Sequence, residues 1–350
     1  MSIPSAALVD ALATSSSLPC GSLQIPHKLP KVRAIPTLLG EVAVVLSSLL
    51  VIGSIPGYPI LLCVLFYRAW KCDGSPQERR RCWGWFLLAL AGYVLLATVP
   101  VAVRPALMQT RFWRWWLEYM SVRVAYRDGK ALPPGQYLFL MMPHGLYPFS
   151  GACASLSEMV PVFMNMQIAV APVGQKVPMI RQLMGWIGCI SASSRSISKA
   201  LANGRSVGLF PGGIGEMVQT DANMEKIILL KRKGFVREAI KNSVPIVPVY
   251  VFGQSITFGQ LPLPAWVQEL SRRLRASIIF PFGRFGMLVP RKLPLLYAIG
   301  APILGRASTP GSPSTDEIEQ VHSDVVSAVR DLYDFYKGFY GWDTRSLCME

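Results

Sequence analysis

His144 stands at the end of an apolar run, in a position where an enzyme could use an imidazole. The β-forming residues from Gln136 to Met142 predict a buried strand, and Pro143 and Gly145 end it. A side chain at the end of a buried strand is held at the rim of a sheet, where α/β enzymes place reactive groups. Since a neutral imidazole accepts protons near neutral pH, we interpret His144 as a candidate general base.

The other two histidines are less well placed for catalysis. His27 lies in a proline-rich segment, and we place His322 on the polar side of a predicted helix. A lone histidine more often has a plain structural role, so the assignment of His144 depends on the residues that the fold brings near it.

A glycine-rich turn is the second candidate element. A short apolar strand over Ser206–Phe210 leads into Pro211-Gly-Gly213, where backbone N–H groups could face a ligand. Glu216 follows closely enough to meet His144 if the two strands are neighbours. The segment has neither the order of a Walker loop nor that of a dinucleotide-binding fingerprint, and a turn without function is the alternative interpretation.

Basic residues cluster ahead of the next apolar strand: Lys231, Arg232, Lys233 and Arg237. Phosphate groups attract such clusters, and a solvated helix face is the alternative. The whole chain carries a net charge of +15, which indicates an acidic partner. Because basic residues flank the apolar segments and no nucleic-acid-binding motif is present, we favour an anionic membrane surface over nucleic acid.

The apolar residues concentrate near the N terminus. The chain is 51% hydrophobic and only 16% charged, below the charged share of about 25% that is typical of soluble domains. Segments 42–67 and 83–103 are long enough to cross a bilayer core, although glycine and proline interrupt the first. A buried soluble hairpin is the alternative. We predict a disordered tail over residues 1–34, a membrane hairpin over 35–104 with both ends cytosolic, and an α/β domain over 105–350.

Strand and helix patterns alternate through the rest of the chain. The predicted strands cover residues 136–142, 167–172, 206–210, 245–252, 277–280 and 294–299. The predicted helices cover residues 194–203, 225–242 and a closing segment that begins at the capping box of Ser314 and Glu317. This alternation predicts an α/β fold with a largely parallel or mixed sheet flanked by helices.

Two further features concern membranes and metals. Aromatic and basic residues interleave over Arg111–Met120, which is typical of a helix at the lipid headgroup layer, although an amphipathic core helix would show the same pattern. The seven cysteines include no C-x-x-C pair, so we predict neither a disulfide framework nor a structural zinc site.

Four motifs, in this order, resemble the type-2 diacylglycerol acyltransferase family, which includes monoacylglycerol and wax-alcohol acyltransferases. The motifs are Met142-Pro-His-Gly145, Phe210-Pro-Gly-Gly-Ile-Gly-Glu216, Arg232-Lys-Gly-Phe-Val236 and Val247-Pro-Val-Tyr-Val-Phe-Gly253. The resemblance covers residues from about 35 to 345. Family members usually have histidine or glutamate at the first motif position, where this chain has Met142. This departure motivates a non-catalytic pseudo-acyltransferase as one alternative.

The resemblance implies a membrane-anchored, glycerolipid-acyltransferase-like fold that transfers a fatty acyl group from acyl-coenzyme A to diacylglycerol, giving triacylglycerol. It implies His144 as the general base and Glu216 as its catalytic partner, with acyl-coenzyme A as co-substrate and no cofactor. A monoacylglycerol or a wax alcohol is the alternative acceptor. The residues expected to contact substrate are Met142, Pro143, Gly145, Pro211, Gly212, Gly213, Lys231, Arg232 and Lys233.

The same resemblance implies a location. We expect a multi-pass protein of the endoplasmic reticulum membrane, in contact with membrane lipid and with the catalytic domain in the cytosol. Association with lipid droplets and formation of a homo-oligomer are left open.

Overall fold

The protein is described here by a computed structural model, which covers residues 23–24, 34–156, 161–172, 174–218, 224–261, 264, 266, 279–305 and 313–350. Most of the predicted tail over residues 1–34, including His27, lies outside these ranges. The strands are β1 (Leu23–Gln24), β2 (Arg123–Tyr126), β3 (Leu138–Met142), β4 (Met166–Val170), β5 (Ile190–Ser191), β6 (Ser206–Leu209), β7 (Met224–Ile227), β8 (Ile246–Phe252), β9 (Gly259–Gln260), β10 (Pro281–Phe282), β11 (Leu296–Ile299) and β12 (Ser346–Met349).

Eight of these strands form one mixed sheet in the order β1-β2-β11-β8-β3-β6-β4-β5. Strands β3, β4, β5, β6 and β8 run parallel, whereas β11 is antiparallel to β8. The mixed sheet predicted from the alternating pattern is thereby confirmed. The predicted strand over residues 277–280 is displaced: residues 277–278 lie outside the described ranges, and the described strand is β10.

Strand β3 lies in the middle of the sheet, and this position explains why all of its residues are apolar. Its five residues are all buried, with Leu138, Leu140 and Met142 on one face and Phe139 and Met141 on the other. A strand that is apolar on both faces requires a sheet covered on both sides. The end of β3 is therefore a rigid support for the residues that follow it.

The helices supply that cover. They are α1 (Ala34–Val51), α2 (Ser54–Trp70), α3 (Pro76–Thr98), α4 (Pro105–Met108), α5 (Arg111–Tyr119), α6 (Phe149–Ala154), α7 (Ile180–Trp186), α8 (Ser194–Ala202), α9 (Gly234–Lys241) and α10 (Thr315–Tyr336). Helices α8, α9 and α10 pack on one face of the sheet, and α1, α5 and α6 pack on the other. The predicted capping box of α10 is confirmed, because Ser314 Oγ accepts the Glu317 N–H at 3.2 Å.

Among the described residues, α3 is the one helix that is by itself long and apolar enough to cross a membrane. The segment from Leu38 through α2 passes the same test only as a pair of helices bent by 50°. Helices α2 and α3 lie side by side, with the ring of Phe66 5.5 Å from that of Phe86. Length and composition therefore agree with the two predicted hydrophobic segments.

Helix α1 is part of the body of the domain. Gly40, Val44 and Ser48 recur every fourth residue and are buried, and Ile52 continues this stripe just beyond the helix. A Cβ on Gly40 would lie 2.9 Å from the ring of Trp115 in α5, so the two helices approach closely because residue 40 is glycine.

The aromatic residues of α5 face the interior. Trp113 and Leu117 are buried in the core, and the ring of Trp116 stacks on that of Phe149 at 5.6 Å. Of the two interpretations of Arg111–Met120, the structure supports the core helix and not the headgroup-layer helix. The large indole rings find protein partners, so the segment has little apolar area left for lipid.

Two local predictions were wrong. The predicted helix over residues 225–242 is β7 followed by a turn and α9, because β7 pairs in parallel with β12, which lies more than 100 residues along the chain. His322 is buried and not on a polar face: its Nε2 lies 3.1 Å from the Leu229 carbonyl oxygen, and Phe235 of α9 packs beside it.

Candidate active site

His144 follows β3 by two residues and is half-buried where the parallel central strands reach their carboxyl ends. Its ring Nδ1 lies 2.7 Å from the Gly145 carbonyl oxygen. A carbonyl oxygen only accepts hydrogen bonds, so this contact places the proton of the neutral ring on Nδ1 and leaves Nε2 as an acceptor. The ring meets Phe210 edge to face at 5.5 Å. His144 thus has the tautomer that a general base needs.

Glu216 supports the backbone of His144. Its Oε2 accepts the His144 backbone N–H at 2.6 Å, and its Oε1 accepts the Ile228 N–H at 2.8 Å. The side chain is only 4% exposed. The predicted pairing of these two residues is thus observed, but the carboxylate contacts the backbone of His144, whereas the ring contacts Gly145.

Two glycines make this arrangement possible. A Cβ on Gly212 would lie 1.9 Å from Glu216 Oε1, so the carboxylate occupies the space that any other residue would fill. Gly145 has a φ of +63°, and a Cβ there would lie 2.9 Å from the Gln254 carbonyl oxygen. Both positions therefore require glycine on grounds of space, and Gly145 also on grounds of conformation.

Burial shifts the pKa values of both titratable groups. It lowers the pKa of His144, opposed by the hydrogen bond to the Gly145 carbonyl, so the imidazole is neutral at neutral pH. Burial raises the pKa of Glu216 to about 7, while the N–H groups of His144 and Ile228 oppose that rise. The ionised carboxylate is the form that accepts both N–H groups fully.

Gln254 is a site residue that the sequence analysis missed. Its Nε2 donates to the Tyr147 carbonyl oxygen at 2.6 Å and to the His144 carbonyl oxygen at 3.2 Å, and its Oε1 accepts the Ser150 N–H at 2.9 Å. The side chain is 0% exposed. One signal was available: Gln254 is a polar residue directly after β8, the strand paired with β3, and so lies at the same edge of the sheet.

A second missed group fixes the segment that leads to Ile228. Glu225 in β7 is buried and accepts from Arg345 Nε at 2.7 Å and from Ser255 Oγ at 2.7 Å. This buried ion pair joins β7 to the segment that enters β12. The position of Ile228, and with it one hydrogen bond of Glu216, therefore depends on residues near the C-terminal end of the described chain.

A cleft of about 860 Å³ opens beside the glycine-rich turn. Phe210 and Pro211 line one wall of the cleft, and the Phe210 ring meets the His144 ring. The cleft is basic, because its lining includes Lys231, Arg232, Lys233, Arg237 and Lys241. Lys233 forms an ion pair with Glu319. The hydroxyl groups of Ser194 and Ser198 donate hydrogen bonds to the Glu238 carboxylate.

The remaining predicted substrate residues lie in different surroundings. Met142 and Pro143 are buried, and Met142 packs in the core cluster on the α8–α10 face of the sheet. The interior position of Met142 does not agree with its predicted contact with substrate, because β3 turns that side chain into the core. Gly213 has a φ of +53° and open space around its Cβ position, which leaves the turn uncovered.

The described residues contain no group of three or more His, Cys, Asp or Glu side chains that could hold a metal ion. The site itself brings together an uncharged imidazole, a buried carboxylate, a glycine-rich turn and a basic cleft. Such a set suits proton abstraction beside a phosphate-bearing ligand.

Comparison with known proteins agrees with this chemistry. The chain is 25% identical to the 2-acylglycerol O-acyltransferase 1 of Bos taurus over 65% of this chain and 73% of that protein. It is 27% identical to the diacylglycerol O-acyltransferase 2 of Danio rerio, over 65% and 68%. It is 28% identical to the human acyl-CoA wax alcohol acyltransferase 1, over 60% and 69%. Residues 82–350 match the sequence model of the family described as diacylglycerol acyltransferase, so the chain belongs to that family of acyltransferases.

Proposed function

We propose that this protein transfers a fatty acyl group from acyl-coenzyme A to the free hydroxyl of diacylglycerol, with His144 as the general base. One observation carries the proposal: Phe210 touches the His144 ring and also lines the basic cleft. Phe210 would then be the residue that lies between a phosphate-bearing donor in the cleft and the neutral imidazole of His144. The family membership supports the same class of reaction.

The proposed chemistry uses the tautomer set by Gly145. The acceptor hydroxyl attacks the thioester carbonyl carbon and gives its proton to Nε2 of His144. The C–S bond then breaks, and the protonated ring returns the proton to the departing thiolate of coenzyme A. Backbone N–H groups of Gly212 and Gly213, or of Gly145, are the proposed donors to the oxyanion of the tetrahedral intermediate.

The buried position of Met142 argues against the pseudo-acyltransferase alternative. It was based on Met142, which lacks the titratable group that family members usually have at that position. The Met142 side chain lies in the core cluster, which supports a packing role for this position. Met is apolar and flexible and fills this core space well.

The basic cleft is the proposed site of the coenzyme A phosphates. Lys231 and Arg232 are exposed and line the cleft, where charge-assisted hydrogen bonds to phosphate would form. The acceptor lipid would arrive from the membrane side. We accordingly propose an integral protein of the endoplasmic reticulum membrane with α2 and α3 as the hairpin and the domain on the cytosolic side.

An acceptor panel tests the proposal. The full-length protein in vesicles receives radiolabelled acyl-coenzyme A with diacylglycerol, monoacylglycerol or a long-chain alcohol, and the labelled esters are separated. We expect the highest kcat/KM with diacylglycerol. A preference for monoacylglycerol or for the alcohol would replace the acceptor and keep the reaction class. Absence of any labelled ester would revive the pseudo-acyltransferase.

A further inference from the structure

Helix α1 has two apolar sides. One side carries Gly40, Val44 and Ser48 into the domain, as described above. The opposite side is exposed and contains large hydrophobic residues only: Leu38, Leu39, Val42, Leu46, Leu49 and Leu50. A helix that is fixed to a domain and also presents an unbroken apolar side to the outside has a partner on that side.

A second exposed apolar group lies beside the antiparallel pair β9–β10 and on the turn that follows β10. The Leu261 N–H donates to the Phe280 carbonyl oxygen at 3.0 Å, and the two side chains are 55% and 53% exposed. Phe285 stands at the tip of the next turn and is 75% exposed, with Met287 beside it. Four large exposed apolar side chains close to one pair of short strands exceed what scattered surface residues explain.

Ion pairs tie these two groups together. Glu41 Oε2 of α1 lies 3.2 Å from Arg284 Nη1, and the same carboxylate forms an ion pair with Lys292. The Arg284 guanidinium lies 4.8 Å from the centre of the Phe285 ring. The turn therefore lies beside α1, along the flank that carries Glu41 and that borders the exposed side of the helix.

The charges at its border suit lipid headgroups. Arg284 and Lys292 both pair with the carboxylate of Glu41, and the Arg291 guanidinium lies 5.5 Å from the centre of the Phe282 ring. Aromatic and aliphatic side chains with basic residues beside them are the composition of a surface that enters the headgroup layer of an anionic bilayer.

We propose that the outer side of α1 and the turn from Phe280 to Met287 form a lipid-contacting surface that lies in the interface of an anionic bilayer. Unlike the α2–α3 hairpin, this surface belongs to the catalytic domain itself. Ile52, at the end of α1, packs with Leu146 and Phe258. Since Leu146 follows His144 by two residues, the inner side of α1 packs against the loop of the catalytic base, while its outer side remains exposed.

Photo-crosslinking in the full-length protein tests this surface. Phe285→p-benzoylphenylalanine keeps an aromatic residue at an exposed position, so folding is preserved, and the protein is reconstituted in vesicles of phosphatidylcholine with a minor share of phosphatidylserine. Met164→p-benzoylphenylalanine is the matched control. Met164 is also apolar and is 64% exposed, but it precedes β4 and so lies at the edge of the sheet opposite to His144.

We expect severalfold more lipid adduct from position 285 than from position 164. Equal yields at the two positions, or no lipid adduct at position 285, would overturn the proposal. A crosslink to a second copy of the chain, or to another segment of the same chain, would assign the surface to that occupant instead. In pure phosphatidylcholine the adduct yield at position 285 should fall. An unchanged yield would contradict the proposed attraction to anionic headgroups. Because the readout is binding, these outcomes do not depend on acyl transfer.

Discussion

Two regions of the site meet at Phe210, and they are built differently. Around His144 the polar side chains of Glu216 and Gln254 are buried and bound to backbone groups. In the cleft, Lys231 and Arg232 extend into solvent. Proton transfer requires a base in a fixed position, whereas attraction of phosphate requires charge with little geometric precision. Changes in the first region should therefore lower kcat, and changes in the second should raise KM for acyl-coenzyme A.

The largest effect is expected at the base itself. His144→Ala should lower kcat at least about 10²-fold, because it removes the proton acceptor while leaving the backbone contacts of the loop available. Ester formation in vesicles measures the effect. His322→Gln is the matched control, since His322 is buried in the contact between α9 and α10 and should keep most of its turnover. Activity of His144→Ala within about twofold of the wild type would exclude His144 as the base.

The second largest effect on kcat is expected at Gln254. Gln254→Leu removes the partners of three backbone groups, at Tyr147, His144 and Ser150, and each unsatisfied buried group costs about 1–3 kcal/mol. We expect a lower melting temperature and a kcat reduced by more than about tenfold. A variant that loses stability but keeps its kcat would mean that Gln254 supports the fold and not the position of the base.

A smaller loss is expected at Glu216. Glu216→Gln keeps one acceptor oxygen and loses the other, so one of the two N–H groups is left without its partner. We expect kcat to fall roughly tenfold, the value of one charge-assisted hydrogen bond of about 1.4 kcal/mol, with little change in acceptor KM. A rise in acceptor KM at unchanged kcat would instead make Glu216 a substrate contact.

Substitutions in the cleft should change the binding of acyl-coenzyme A. The double variant Lys231→Glu, Arg232→Glu should raise KM for acyl-coenzyme A by about tenfold and leave kcat nearly unchanged, because only phosphate attraction is altered. Added salt should reduce the difference. Arg330→Glu is the control, since Arg330 is exposed on α10 outside the cleft lining. Equal responses of the two proteins would show a general effect of net charge.

The smallest effect is expected at Met142. Met142→His places an imidazole in the apolar core, which should cost stability by about 1–3 kcal/mol. Its effect on turnover should remain within about tenfold, since this side chain lies away from the base. If the wild type forms no ester and the histidine variant is active, this position is catalytic after all.

Features that depend on local sequence were predictable, and features that depend on distant pairing were not. The apolar runs of β3 and β8 and the capping box of α10 carry their own signals, and all three were found. Strand β7 was predicted as helix because its partner, β12, is remote in the sequence. The backbone role of Glu216 could not be predicted, since it depends on Gly212 leaving space for the carboxylate.

The central claim is that a neutral, half-buried His144 is the base, and the pH dependence of kcat/KM tests it most directly. An imidazole accepts a proton only above its pKa, and burial lowers the pKa of His144, so activity should persist to a pH below the ordinary value of about 6.5. The wild type should also show a step near pH 7, where Glu216 ionises and binds both N–H groups. Glu216→Gln should lose that step and keep the lower one. An acid limb that lies above pH 7 in both proteins would contradict the assignment of His144.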